Sequence, residues 1–98
     1  MATFTLRVTA ENDLIEIGLQ GRQQWGEALM LRYVTNLDQA FHALANMPQI
    51  GRACPEVKPG YRRFQQGSHI IFYRLTETGD VDIVRILHER MDHENHLE

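Results

Sequence analysis

Apolar and polar residues alternate from Phe4 to Val8 (FTLRV), the period-two signature of a half-buried strand. The period then changes. Leu14, Ile17, Gly18, Gly21 and Trp25 recur at spacings of three and four, which predicts a helix with one apolar or small stripe. Thr9 stands where an N-cap oxygen is wanted, and Glu11 and Asp13 put negative charge in the first turn, where it favours a helix N-terminus. Trp25-Gly26 interrupts the pattern. From Glu27 a stronger one begins: Met30, Tyr33, Val34, Leu37, Ala40, Phe41, Leu44 and Met47 hold the helical period until Pro48 and Gly51 stop it. Two helices joined by a tight turn predict a helical hairpin over about residues 10–48. Trp25 is expected to plug its corner, with Tyr33, Leu37 and Phe41 in the core.

All three prolines fall between Pro48 and Gly60, which reads as a loop. Three strands follow over about residues 60–88. Tyr61–Phe64 is the first and His69–Leu75 the second, with Gln65–Ser68 as the hairpin turn. Val81–His88 is the third. Its VDIVRIL run is β-branched and apolar on both faces, as a central strand requires. Residues 89–98 are polar and read as a loose tail or a short helix, with Leu97-Glu98 given no structural weight. The order β-α-α-β-β-β over residues 1–98 predicts one α+β domain, a helical hairpin packed on a small, mostly antiparallel sheet. The long helical crossover predicts parallel pairing between the first strand and the last.

Composition narrows the function. A chain of 98 residues builds one small domain with a thin core, so a binding partner is expected to stabilise it. No apolar run approaches the ~20 residues of a membrane span, and the N-terminus has no secretion-signal core, so a cytoplasmic protein without membrane contact is expected. Cys54 is the one cysteine, which rules out an internal disulfide; it reads as a small loop residue. Net charge is −3, which excludes a globally basic nucleic-acid binder. Between Gly51 and Arg90, however, seven basic residues face five acids, and nine of the chain's ten cations are arginine. Arginine suits planar, bidentate contact with carboxylate or phosphate.

Several stretches together carry a resemblance. They are Asp13-Leu14-x-x-Ile17, Trp25-Gly26, Leu44-Ala45-x-x-Pro48 leading to Gly51-Arg52, Gly60-Tyr61-Arg62-Arg63, Gly67-Ser68-His69-x-Ile71-Phe72-Tyr73-Arg74 and Arg85-Ile86-Leu87-His88-x-x-Met91-Asp92. In this order and spacing the chain resembles the ParE toxins of the RelE/ParE superfamily, from bacterial toxin–antitoxin systems. The resemblance implies two helices on a small antiparallel-rich sheet. It also implies a toxin that catalyses nothing, needs no cofactor, inhibits DNA gyrase and prolongs the life of the cleaved DNA–gyrase complex. A ParD-type antitoxin would neutralise it by laying a segment over helices and sheet, and operator DNA would be reached only through that antitoxin. The expected antitoxin footprint is Leu14, Ile17, Trp25, Tyr61, Arg62, Arg63 and Phe72. The expected target contact is the tail, through His88, Arg90, Met91, Asp92 and His96.

The alternatives are the RelE-like branch of the superfamily, whose members cut messenger RNA on the ribosome, and an inactive interaction module of the same fold. Cleavage needs a base for the 2′-OH, an acid for the leaving oxygen and cations for the phosphorane charge. Arg62, Arg63, Arg85 and His88 are the groups that would supply them. The single lysine, the absence of tyrosine beyond Tyr73 and the acidic balance favour the gyrase reading. Arg62 and Arg63 alternate faces of a strand, so one is expected to support the fold, with Glu56 or Glu89 as a salt partner, and the other to face a partner. Arg85 interrupts an apolar strand and must be paired or sit at a rim. His69 reads as a packing or hydrogen-bonding residue. His88, His93 and His96 lack the spacing of a metal site.

Overall fold

Strand β5, Val81–His88, is the spine of the molecule: every residue but Arg85 and His88 is buried. The computed structural model describes residues 3–91 and 93–97, the side chain of Glu94 excepted. Around β5 the chain arranges β1 (Phe4–Leu6), α1 (Val8–Trp25), α2 (Glu27–Asn46), a 3-10 turn (Pro48–Ile50), β2 (Arg52–Ala53), β3 (Tyr61–Gln66), β4 (His69–Leu75) and a short α3 (His93–His96). The sheet order is β1-β5-β4-β3-β2. As the crossover demands, β1 runs parallel to β5, with Phe4 opposite Val81 and Leu6 opposite Ile83. All other pairings are antiparallel.

The helices cover one sheet face. Ile17, Leu37, Phe41 and Leu44 pack there against Ile71, Tyr73, Ile83 and Ile86. A second, smaller core lies on the other face, where Cys54, Tyr61, Ile70, Phe72, Val84, Leu87 and Leu97 meet. A β-bulge interrupts the β4–β5 register. Phe72 opposes Arg85 whereas Tyr73 opposes Ile83, so Val84 is the extra residue that turns β5 on itself.

Several expectations are corrected, among them the first hairpin, whose strand runs on to Gln66 and leaves Gly67-Ser68 as the turn. The first strand is shorter than Phe4–Val8, because α1 starts at Val8; Arg7 is its N-cap residue, without a side-chain cap bond. Thr9 is no cap, since its hydroxyl donates to the Val84 carbonyl at 2.9 Å and ties α1 to β5. The proline-rich segment is not merely a loop. Its Arg52–Ala53 pairs with Arg63 and Arg62 of β3, and Cys54 is fully buried, which pushes its thiol pKa up. The tail is anchored: α3 follows the turn after β5, and Leu97 is buried in the second core. Leu97, given no weight from the sequence, is thus a core residue.

Gly26 joins the two helices because its φ of +87° suits glycine. Its N–H donates to the Arg22 carbonyl, closing α1, and its carbonyl accepts from Met30 N–H, opening α2. The corner is otherwise unlike the expectation. Trp25 remains 45% exposed and lies against Tyr33 with ring centroids 5.6 Å apart. Gly21 leaves the space that the indole covers.

Candidate partner-binding surface

The arginines that drew attention in the sequence are held in different ways. Arg62 donates to the Gly51 carbonyl from Nε (3.0 Å) and Nη2 (2.6 Å), and more weakly to the Gln49 carbonyl. Gly51 is also held from within, its N–H donating to the Tyr73 hydroxyl, which itself donates to the Pro48 carbonyl. Arg62 is therefore the structural member of the pair, latching the segment after α2 onto β3. Its partners are carbonyls, not Glu56 or Glu89; Glu89 accepts from Gln65. Arg63 points to the opposite face, its guanidinium 5.6 Å from the centre of the Phe72 ring.

Arg85 is paired. Its guanidinium grips Asp13 of α1 at 2.7 and 2.8 Å, and Nη1 donates to the His96 carbonyl at 3.0 Å. Asp13 also accepts the Ile86 N–H at 2.9 Å. One carboxylate thus answers both a cation and a backbone donor of β5. Sequence reasoning required a partner for Arg85 but took Asp13 only as a helix-terminal charge; nothing in the sequence links positions 72 residues apart.

A cleft of about 440 Å³ opens between α1 and the far ends of β4 and β5. Asp13, Glu16, Gln20 and Trp25 line it from α1, and His69, His88 and Met91 from the strands and the turn after β5. His69 Nδ1 and the Tyr33 hydroxyl share a 2.6 Å hydrogen bond, and that hydroxyl accepts the Ser68 N–H. His88 stands edge-on to His69, ring centroids 5.4 Å apart. Burial, with the adjacent His88, holds the His69 pKa below the ordinary imidazole range. His69 is thus a hydrogen-bonding member of the fold. No cluster of three metal-ligating residues occurs among the described residues.

The expected target-contact residues divide between two places: His88 and Met91 border the cleft, whereas His96 lies beside Arg85, whose Nη1 donates to its carbonyl. His88 ends β5, Arg90 and Met91 are exposed in the following turn, and His96 lies on α3. Asp92 lies outside the described residues. His93 Nε2 lies 3.2 Å from the His88 carbonyl, and its ring meets Phe72, so the segment folds back over the sheet. Of the expected antitoxin footprint, Trp25 is exposed and Leu14, Arg62 and Arg63 are half-buried. Ile17, Tyr61 and Phe72 are core residues, which moves them beneath any such footprint.

Of the four groups named for ribonuclease chemistry, Arg63 and Arg85 flank Phe72 in one row of the sheet, but the set as a whole is not brought together. Arg62 is bound to carbonyls on one sheet face, Arg63 lies on the other, Arg85 is neutralised by Asp13, and His88 borders the cleft beside His69.

Comparison with known proteins is consistent across sequence and fold. The family model described as "ParE toxin of type II toxin-antitoxin system, parDE" matches residues 4–93. A Toxin ParE1 of Mycobacterium tuberculosis is 42% identical over 94 residues, covering 96% of each chain. A Toxin ParE1 of Caulobacter vibrioides is 33% identical over 97 residues, covering 99% of each. Among solved structures, a chain of the chromosomal ParDE system of P. aeruginosa superposes with a TM-score of 0.76 at 20% identity, covering 90% of this chain and 96% of that one. A chain of the RelBE2 toxin–antitoxin complex of M. tuberculosis gives 0.65 at 20% identity, covering 89% and 90%. These two likenesses speak to the fold alone: two helices on a mixed sheet, an α+β architecture.

Proposed function

Because this chain belongs to the ParE toxins of type II toxin–antitoxin systems, we propose that it inhibits DNA gyrase and stabilises the cleaved gyrase–DNA complex without catalysing a reaction itself. A ParD-type antitoxin neutralises it in the cytoplasm, and operator DNA is reached only through that antitoxin. The gyrase contact is the exposed end of the sheet, with His88, Arg90 and Met91 at its centre.

One observation carries the non-catalytic reading. Stabilising a phosphorane requires convergent, uncommitted cations beside an acid–base pair. Here Arg85 is charge-paired with Asp13, Arg62 is bound to backbone carbonyls, and His88 borders a cleft that neither Arg62 nor Arg63 lines. Freeing Arg85 for RNA would leave the Asp13 carboxylate with the Ile86 N–H and no cation.

The test is a supercoiling assay with gyrase, plasmid and ATP, scored for lost supercoiling and trapped double-strand breaks. Breaks that accumulate with the toxin and vanish on adding its antitoxin support the reading. Arg90→Ala and Met91→Ala should reduce them while leaving antitoxin binding intact. If gyrase is indifferent to excess folded protein, and messenger RNA is cut in a translating extract, the protein is a ribosome-dependent nuclease instead.

A further inference from the structure

Helix α1 is apolar on two opposite sides, whereas a surface helix ordinarily carries one apolar stripe. Ala10, Ile17 and Gly21 are its buried side. Val8, Ile15 and Leu19 each stand two residues away from one of these, about half a turn round the helix. They are 72%, 61% and 53% exposed. The outer stripe runs into a groove of about 340 Å³ between the helices, with Ile15, Leu19, Met30 and Val34 on its walls and Arg22 at its rim. Gly18 also borders it. A Cβ there would meet only the Met30 sulfur, at 3.9 Å, so another backbone has room to approach.

The polar flanks of this stripe indicate what covers it. Glu11 and Arg22 are exposed and make no side-chain hydrogen bond or ion pair among the described residues. They lie eleven residues apart, close to three whole turns, so both occupy the same flank, about 16 Å apart along the axis. Asn12 and Gln23 repeat that spacing on the other flank. The apolar pair Ile15 and Leu19 sits midway between them. One side of the helix is therefore charge-complementary to itself when reversed end for end.

We propose that this face is a contact between two copies of the chain, packed α1 against α1 in antiparallel about a two-fold axis beside Gly18. Placing Ile15 opposite the second copy's Leu19 brings Glu11 beside the second copy's Arg22, and Arg22 beside its Glu11. A two-fold axis perpendicular to both helices keeps each flank on its own side, so both ion pairs form together and Asn12 meets Gln23 across the other flank. The inference stands independently of the gyrase reading.

Sedimentation of the antitoxin-free protein over a range of concentrations tests it. The chain should pass from monomer to dimer, with association weakening as salt rises. Arg22→Glu and Glu11→Arg should each weaken association on the order of tenfold, since each replaces two exposed ion pairs by two repulsions. Mixing those two variants should restore it, because one copy then carries only positive and the other only negative flank charges. Leu19→Gln, which leaves the charges alone, should weaken association as well. Circular dichroism verifies that each variant is folded. A chain that stays monomeric throughout overturns the proposal, and so does a dimer indifferent to charge reversal or a mixture no tighter than its components. Monomers whose antitoxin complex is weakened by charge reversal would also overturn it and assign the face to the antitoxin.

Discussion

Replacing Asp13 by alanine should be among the costliest single substitutions in the protein. The carboxylate holds Arg85 through two hydrogen bonds and the Ile86 N–H through a third. Breaking a fully buried pair from one side costs about 3–5 kcal/mol, because the remaining charge has no partner. Here the two side chains keep 14% and 22% of their exposure, so water reaches the guanidinium and lowers the figure to about 2–3 kcal/mol. For a domain of this size that is on the order of 10–20 °C in Tm. Arg85→Met should cost less, about 1–2 kcal/mol, because Asp13 keeps the Ile86 donor and the new side chain retains an apolar stem. The double variant should be less destabilised than the sum of the two, with a coupling of about 1–2 kcal/mol. Urea unfolding of the four proteins, followed by far-ultraviolet circular dichroism, measures all of these. A cost below about 0.5 kcal/mol for Asp13→Ala, or strict additivity in the cycle, would refute the argument that this pair fastens α1 to β5.

Three further outcomes follow from the geometry. Tyr73→Phe removes the hydroxyl that bridges Gly51 N–H and the Pro48 carbonyl, and should cost about 1–3 kcal/mol in denaturant unfolding with an unchanged m value. Arg62→Ala should release the segment between α2 and β3, read as faster hydrogen exchange at the Cys54 amide while the β4–β5 amides stay protected. The lowered pKa of His69 means that the unfolded chain binds its proton more readily than the folded one. Its contribution is therefore complete above about pH 6.5 and lost as pH falls through the folded value; His69→Gln should flatten that part of the stability–pH profile.

Much of the architecture was legible because it rests on period and chain connectivity. The switch from alternation at Phe4–Leu6 to helical spacing, and the double-sided apolar run of Val81–Leu87, lead to a parallel β1–β5 pair with no structure in view. What escaped depends on meetings between distant residues. That Arg85 needs an acid follows from its apolar strand; that the acid is Asp13 does not. Arg62 and Arg63 are equivalent in sequence, and only the position of the Gly51 carbonyl distinguishes them. Arg52-Ala53 is too short to show alternation, so β2 read as loop. The bulk of Trp25 predicts a corner plug, yet Gly21 lets the indole lie outside, against Tyr33.

The pairing of β1 with β5 also bears on how the protein reaches its fold. Residues 4–6 join partners 77 positions later, so this contact closes the longest loop in the sheet, and closure entropy opposes it until the β3–β4–β5 meander stands ready. The meander forms from neighbouring hairpins and needs no such closure. In the interval, one side of β5 presents unpaired N–H and C=O groups next to Val81 and Ile83, an edge that recruits any free strand. The buried Asp82, gripped by Arg7 at 2.8 Å and Arg74 at 3.0 Å, discourages foreign strands, because a strand without a matching arginine leaves that carboxylate short of a partner. The ion pair that fastens the first strand thereby also selects it, and slow refolding from dilute denaturant, rather than low final stability, is the expected weakness of this toxin in isolation.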